Sequence, residues 1–269
     1  MSRIKVVIHG ATGRMGIEVV KAVCADVDLV AVGAVDIVAG GDLALPDDSG
    51  TIPFSSDIED IISRTKPDVM VDFTTHDVTM PAVRSAIRNG VRPVIGTTGQ
   101  SVQEMNKIAA LCRKKGIGAF IAPNFSLGAV LMMHLSKIAA KYFDHAEIIE
   151  LHHEKKLDSP SGTALATAKD MVEAHDGPFS RIESQKELLA GARGGDYRGV
   201  SMHSVRLLGH LAHQEVIFGS LGQTLKIRHD SISRESFMPG VVLAIKEVMK
   251  LDKLVIGLGF TVVYQGEVG

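Results

Sequence analysis

The stretch "ELHHEKKLDSPSGTA", Glu150 to Ala164, sets two adjacent histidines, two lysines and a Ser-Gly-Thr turn side by side. Histidines exchange protons near neutral pH, and lysines supply fixed cations. A Ser-Gly-Thr segment that opens a helix offers free N–H groups to an anion. Three readings compete. Metal chelation is disfavoured, because His152 and His153 are neighbours on a strand and point to opposite faces. A solvated basic loop, with Ser161 capping the helix after Pro160, explains the stretch without chemistry. In an anion-binding catalytic site, the N–H groups of Gly162 and Thr163 receive a carboxylate, and a nearby histidine or lysine delivers a proton. Taken alone, the stretch favours the solvated basic loop; the rest of the chain has to supply the context for the catalytic reading.

A second group of residues lies near the N-terminus. "GATGRMG" places Gly10, Gly13 and Gly16 between an apolar run and an amphipathic one. Glycine lets the backbone approach a pyrophosphate, and a helix N-terminus favours negative charge. Gly10, Ala11, Thr12, Gly13, Arg14 and Met15 are the candidate phosphate turn, and Arg14 adds a cation. Asp36 ends the next apolar run. An acidic residue there bonds a ribose 2′-hydroxyl and repels a 2′-phosphate, which leans towards NADH over NADPH. "FTTHD" (Phe73 to Asp77), "GTTG" (Gly96 to Gly99) and "APNF" (Ala122 to Phe125) end later apolar runs, the edge of an open α/β sheet where ligands bind.

These residues need elements to position them. Over the first half, apolar runs ("IKVVIHG", "DLVAVGAVD", "PDVMVDFT", "RPVIGTTG", "IGAFIAPNF") alternate with helical patterns. The helices expected are "GRMGIEVVKAVCA", "DIEDIISRTK", "MPAVRSAIRNG" and "SVQEMNKIAALCRKKG". That alternation means βαβ units around a parallel sheet. After Phe125 the pattern changes to a long apolar-faced helix, then the strand "AEIIELHH", then the helix "ALATAKDMVEAH". Residues 176–200 read as loop with a short helix. "VSMHSVRLL", "HQEVIFGS" and "QTLKIRHDS" read as strands of a largely antiparallel sheet. "SFMPGVVLAIKEVMK" closes as a helix that returns to the first domain. The expected fold is α/β. A Rossmann-type parallel-sheet domain spans 1–125 and 235–269, and an α+β domain with an open mixed sheet spans 126–234.

Composition narrows the function classes. A net charge of -2 argues against a nucleic-acid binder, since phosphate attraction needs excess Lys and Arg. Cys24 and Cys112, far apart, are expected to be reduced, buried thiols without zinc or disulfide roles. No apolar run is long enough to cross a bilayer, and "MSRIKVVIHG" is too short for a signal core. A cytoplasmic protein is the expectation, with no membrane, nucleic-acid or metal partner.

Taken together, "GATGRMG", "DFT" at Asp72 to Thr74, "GTTG", "APNFS", "RHDSISRESFMPG" and above all "ELHHEKKLDSPSGTA" resemble the 4-hydroxy-tetrahydrodipicolinate (dihydrodipicolinate) reductase family of the diaminopimelate and lysine pathway. The resemblance spans nearly the whole chain. It implies hydride transfer from NADH or NADPH to a small cyclic dicarboxylate, and a homotetramer built through the second domain. It implies His152 as proton donor/acceptor, Lys156 as proton donor, and His153, Gly162 and Thr163 as substrate contacts. On the cofactor side it implies Gly10 to Met15, Asp36, Gly96, Thr97, Thr98, Ala122, Pro123, Asn124 and Phe125. Two positions depart from the family pattern. His76 stands two residues after "DFT", where proline is common. Ile37 follows Asp36 in place of an arginine that reaches a 2′-phosphate. Another Rossmann small-acid dehydrogenase, of the aspartate type, would keep the glycine turn without the whole His-Lys-Pro-Ser-Gly-Thr run. A non-catalytic NAD(P) sensor would need neither His152 nor Lys156.

Overall fold

The computed structural model describes residues 2–184 and 186–259. The chain forms two compact units, Met1–Leu127 with Phe237–Gly269, and Gly128–Ser236. Residues 260–269, assigned above to the first domain, lie outside the described residues.

The first unit is built on an eight-stranded sheet. Its strands are β1 (Ile4–His9), β2 (Leu29–Val35), β3 (Gly41–Ala44), β4 (Thr51–Ser55), β5 (Val69–Asp72), β6 (Arg92–Ile95), β7 (Ala119–Ile121) and β13 (Leu254–Ile256), in spatial order β13-β7-β6-β5-β1-β2-β4-β3. Every pairing is parallel except β3 with β4. Val6, Val7 and Ile8 are fully buried, as are Val69, Met70 and Val71. Such unbroken apolar runs suit a parallel sheet covered on both faces. The helices are α1 (Arg14–Ala25), α2 (Ile58–Thr65), α3 (His76–Arg88), α4 (Val102–Lys115) and the returning α7 (Met238–Val248), which packs on α1 and on β5, β6 and β7. The ends of α4 follow from its sequence. Ser101 and Glu104 close a reciprocal capping box, and Gly116 stops the helix in the left-handed region at φ 62°.

The second unit carries α5 (Leu127–Ala139), β8 (His145–His152), α6 (Gly162–His175), β9 (Gly195–Tyr197), β10 (Val200–Arg206), β11 (Ala212–Ser220) and β12 (Gln223–Ser231). Its sheet runs β12-β11-β8-β10-β9. Burial alternates along β8, as on a sheet covered on one face. Ala146, Ile148, Val216, Phe218 and Met202 pack with Ala164, Ala168, Met171 and Val172 of α6.

The structure corrects several expectations. β3 and β4 form an antiparallel hairpin at the sheet edge, in a stretch whose turn residues and Pro46 and Pro53 hide a strand pattern. Helix α3 begins at His76, a turn earlier than the Met80 start expected. Val78 and Thr79 donate to the Thr75 carbonyl and close a first turn ahead of Pro81. β10 pairs with β8 in parallel, because α6 makes a crossover between them. The other three pairings in that sheet are antiparallel. Between 176 and 200 the described residues hold the strand β9 and no helix. Cys112 is buried, and burial pushes its thiol up to about 11, but Cys24 is only half-buried.

Candidate active site

The glycine turn separates into distinct tasks. Gly10 has φ +84°, and a Cβ there would stand 2.6 Å from the Phe73 carbonyl oxygen. A Cβ on Gly16 would stand 1.9 Å from the Gly10 carbonyl oxygen, so this glycine lets α1 close on the turn. Gly13 caps α1 in an extended conformation with more space around it. A cavity of about 340 Å³ opens at this turn, lined among others by His9, Gly10, Gly13, Asp36, Ile37 and Thr74. Ala11 is buried, Thr12 and Arg14 are exposed, and Met15 is half-buried.

Asp36 is bound to the turn. One carboxylate oxygen accepts from the Thr12 N–H at 3.0 Å and the Thr12 hydroxyl at 2.6 Å, and the other accepts from the Ile37 N–H at 2.8 Å. Partial burial alone would raise its pKa. The hydrogen bonds from Thr12, and from the N–H groups of Ile37 and Val38, outweigh that and hold it below the usual carboxylate value. The cavity therefore carries a fixed negative charge, with Ile37 exposed beside it.

The neighbouring strand ends meet on a buried carboxylate from the "DFT" motif, to which the sequence alone assigns no role. Asp72 ends β5, fully buried. It accepts from the hydroxyls of Thr97 at 2.6 Å, Thr79 at 2.7 Å and Thr74 at 2.9 Å. His9 Nδ1 lies 2.8 Å away, close enough for an ion pair but not aligned as a hydrogen bond. Burial would raise the Asp72 carboxyl, but His9, Thr97 and Thr79 outweigh burial and lower it. Thr97 in turn accepts from the Thr74 N–H at 2.9 Å. Asp72 thus ties the ends of β1, β5 and β6 together. Gly96 packs against Phe73, whose ring would stand 2.1 Å from an added Cβ. Thr98 and Pro123 are exposed, Ala122 is buried, and the Asn124 side chain accepts from the Ser126 N–H at 2.8 Å. Phe125 packs on Phe73 with ring centres 5.7 Å apart. Gly96 to Thr98 and Ala122 to Phe125 follow β6 and β7 along the same carboxyl edge and do not line the cavity at the glycine turn, whereas Phe73, which follows β5, does.

His76, the departure noted above, takes the first position of α3 with Nε2 3.1 Å from the Glu104 carboxylate. Hydrogen bonds with Glu104 and then with Asp77 raise its pKa. The Ser101 N–H, then His76 and the Ser101 hydroxyl, hold Glu104 down at about 2. The raised histidine favours this state fully below its ordinary 6.5 and loses the benefit as pH climbs through its raised value. The lowered glutamate favours it above 4.5 and loses the benefit as pH falls towards about 2. The latch between α3 and α4 is therefore fully charged between those two ordinary values. Glu104→Gln should move the His76 titration, followed by NMR, towards lower pH, and an unmoved midpoint would contradict the pairing.

In the second unit, Glu150 holds the catalytic candidates together. It lies on the helix-covered face of β8 and is 1% exposed. One carboxylate oxygen accepts from Arg206 at 2.8 Å and from the Ser161 N–H at 3.3 Å. The other accepts from Arg206 at 2.9 Å and meets His152 Nδ1 at 2.5 Å. Burial would raise its pKa, but the hydrogen bonds from His152, Arg206 and Ser204 outweigh burial and bring it to about 2. Arg206 also donates to the Asp158 carbonyl at 2.6 Å, and the Asp158 carboxylate holds Lys156 Nζ at 2.7 Å. A continuous chain of polar contacts thus runs from His152 through Glu150 and Arg206 to Asp158 and Lys156, with a branch to the start of α6. There the Ser161 hydroxyl accepts from the Ala164 N–H at 3.2 Å. The Gly162 and Thr163 N–H groups belong to the first turn, whose donors have no intrahelical acceptor. His153 follows β8 and is half-buried.

Glu150, Asp158 and Asp72 lie in stretches quoted from the sequence but carry no assigned role there, and Arg206 is not among the residues named. The alternation of "AEIIELHH" puts Glu150 on the same face as Ile148, and a buried glutamate demands a cationic partner. That signal was available for Glu150. Nothing local announces Arg206, which lies far along the chain. Among the described residues no group of three or more His, Cys, Asp and Glu side chains could hold a metal ion, and no helix is long and apolar enough to cross a membrane.

Comparison with known proteins identifies the family of the chain. Residues 4–125 match the family described as "Dihydrodipicolinate reductase, N-terminus", and 128–259 the one described as "Dihydrodipicolinate reductase, C-terminus". The chain is 55% identical over 259 residues to the 4-hydroxy-tetrahydrodipicolinate reductase of Dehalococcoides mccartyi strain BAV1, covering 96% of this chain and 98% of that one. It is 48% identical to the same-named protein of Bacillus subtilis strain 168, covering 95% and 96%. The dipicolinate-bound dihydrodipicolinate reductase of Paenisporosarcina sp. TG-14 superposes with a TM-score of 0.86 at 41% identity, covering 96% and 98%. An amine dehydrogenase from Mycobacterium smegmatis, 15% identical with a TM-score of 0.63 over 92% and 93%, shares the fold alone. With both halves matched and relatives this similar along its length, the chain belongs to the dihydrodipicolinate reductase family.

Proposed function

We propose that this chain reduces 4-hydroxy-tetrahydrodipicolinate to tetrahydrodipicolinate, consuming NAD(P)H and a proton and releasing water and NAD(P)⁺. The observation that carries the reading is the linkage, within one unit, of His152, Lys156 and the open first turn of α6 through Glu150 and Arg206. That set offers a proton donor, a cation and carboxylate-binding N–H groups, which is what a dicarboxylate imine requires. The relative with bound dipicolinate, a ring bearing two carboxylates, supports the same ligand class.

The residues of the first unit fit a dinucleotide. A Cβ at Gly10 would fill the turn, α1 begins there, and the cavity beside it holds Asp36. Gly10 to Met15 hold the pyrophosphate, Asp36 the ribose, and Gly96 to Thr98 with Ala122 to Phe125 the nicotinamide side. When bound, the dinucleotide supplies a hydride from nicotinamide C4 to substrate C4. In the second unit, the substrate carboxylates dock on the Gly162 and Thr163 N–H groups, on His153 and on Lys156. Water leaves the substrate before the hydride arrives. The electron pair then rests in an enamine, and His152 or Lys156 protonates its C3. Both groups also stabilise negative charge as it develops.

The finer readings have their own support. Asp36 leans the preference towards NADH, since its ionised carboxylate and the neighbouring Ile37 offer a 2′-phosphate repulsion and no cation. Asp36→Asn should therefore move the ratio of NADPH to NADH kcat/KM towards NADPH by about tenfold, equal to about 1.4 kcal/mol. Steady-state kinetics with both cofactors checks this, and a wild type that already prefers NADPH strongly would contradict it. On the second sheet, the face away from α6 keeps Ile149, Leu151, Val205 and Ile217 half-buried, a surface suited to a homotetramer. The working compartment on this reading is the cytoplasm, where cysteines such as Cys24 and Cys112 stay reduced.

A further inference from the structure

We infer that Glu150 is a positioning residue for the reaction: it fixes which nitrogen of His152 exchanges the proton and sets that imidazole against the N-terminus of α6. The inference rests on the reading of His152 as the proton-transfer group and adds the device that makes it competent. Glu150 meets His152 Nδ1 at 2.5 Å, the Ser161 N–H at 3.3 Å and both terminal nitrogens of Arg206 at 2.8 and 2.9 Å. These contacts, with a further hydrogen bond from Ser204, engage both carboxylate oxygens of a side chain that is 1% exposed.

An ionised carboxylate only accepts, so His152 Nδ1 must carry hydrogen and point it at Glu150. The neutral imidazole is thereby held with Nε2 bare. Nε2 is the atom that gains a proton, and gives it up to the substrate. A histidine with a single available nitrogen cannot spend part of its population in the unproductive tautomer. Arg206 has the complementary task. A buried carboxylate beside a histidine is under pressure to become neutral, and the bidentate guanidinium keeps it ionised and acceptor-only. The Ser161 contact extends the control: the same carboxylate that aims the imidazole anchors the residue that caps α6, one position before Gly162. Proton source and carboxylate-binding turn are thus referenced to one buried group.

Glu150→Gln separates this role from simple packing. The amide keeps the volume, but it has one acceptor oxygen for two demands. If the oxygen faces Arg206, the NH₂ faces Nδ1 and forces the hydrogen to Nε2. The experiment is side-chain ¹⁵N NMR of His152 in the full-length protein, alongside kcat, KM and NADH affinity for wild type, Glu150→Gln and His152→Ala. The wild type should show the Nδ1–H tautomer. Glu150→Gln should show Nε2–H or a mixture, with kcat down about 100-fold or more and NADH affinity within twofold of wild type. An Nε2–H tautomer in the wild type overturns the inference without any variant, so it stays decidable even if Glu150→Gln does not fold. Retention of kcat within twofold by Glu150→Gln, when His152→Ala is impaired, overturns it while leaving His152 in place. Full turnover by His152→Ala removes the underlying reading itself, a result distinct from the other two.

Discussion

Replacing His152 or Lys156 by alanine should lower kcat by about 10²–10⁴-fold each, the usual contribution of a positioned general acid, while NADH affinity stays within a factor of two. The separation follows from the chain's organisation. Both residues belong to the second unit, and the glycine turn and Asp36 belong to the first. Stability should change little for Lys156→Ala. Its partner Asp158 is more than half exposed, and an ion pair of that kind is worth about 0–1 kcal/mol. His152→Ala removes one of several groups on Glu150 and leaves the bidentate Arg206 contact intact, so its fold should also persist. Steady-state turnover, calorimetric NADH titration and thermal melting on the same preparations make the comparison. Undiminished turnover in both variants would remove the proton-transfer assignment.

The largest structural loss is expected for Asp72→Ala. The substitution strips a buried carboxylate of its bonds from the Thr74, Thr79 and Thr97 hydroxyls and its contact with His9. Thr79 can still donate to the Thr75 carbonyl at 3.0 Å, but among the described residues the Thr97 hydroxyl hydrogen has no other acceptor. Hydrogen bonds to a charged group contribute about 1.5–3 kcal/mol each, and buried donors left unpaired add to the loss. A cost of about 3–5 kcal/mol follows, with weaker NADH binding because the turns after β5 and β6 lose their common anchor. Asp72→Asn, which keeps one acceptor oxygen, should cost less. Acid should mimic the loss. The Asp72 pKa is lowered in the folded chain, so its contribution is present above the ordinary carboxylate value and is lost as pH falls through the folded one. Urea denaturation of both variants tests the ranking, and a change under 0.5 kcal/mol for Asp72→Ala would contradict the anchoring role.

Much of the scaffold was legible in the sequence because parallel strands buried on both faces leave unbroken apolar runs, as at Val6 to Ile8 and Val69 to Val71. The exposed edge hairpin of β3 and β4 leaves no such mark, and the direction of β10 depends on the crossover through α6 rather than on its own residues. The site divides in the same way. Local motifs expose Gly10, Gly13, Asp36 and the His-Lys stretch, because a turn or a helix start needs those residue types at short spacing. Glu150 and Arg206 become a unit only when β8 and β10 lie side by side, with Arg206 paired in register with His152. Asp72 likewise gains its meaning from Thr97 and His9, which neighbouring strands bring to it. Long-range pairing of polar groups in a folded sheet is what motif spacing cannot express.

Transfer of a deuteride tests the central claim most directly. The protein would be supplied with NADH dideuterated at nicotinamide C4 and with the product of dihydrodipicolinate synthase, and the reduced acid examined by NMR. The account predicts one deuterium at C4 of the product and a solvent-derived hydrogen at C3. Cofactor that is bound but not oxidised, or a product whose deuterium lies elsewhere or is absent, would contradict it.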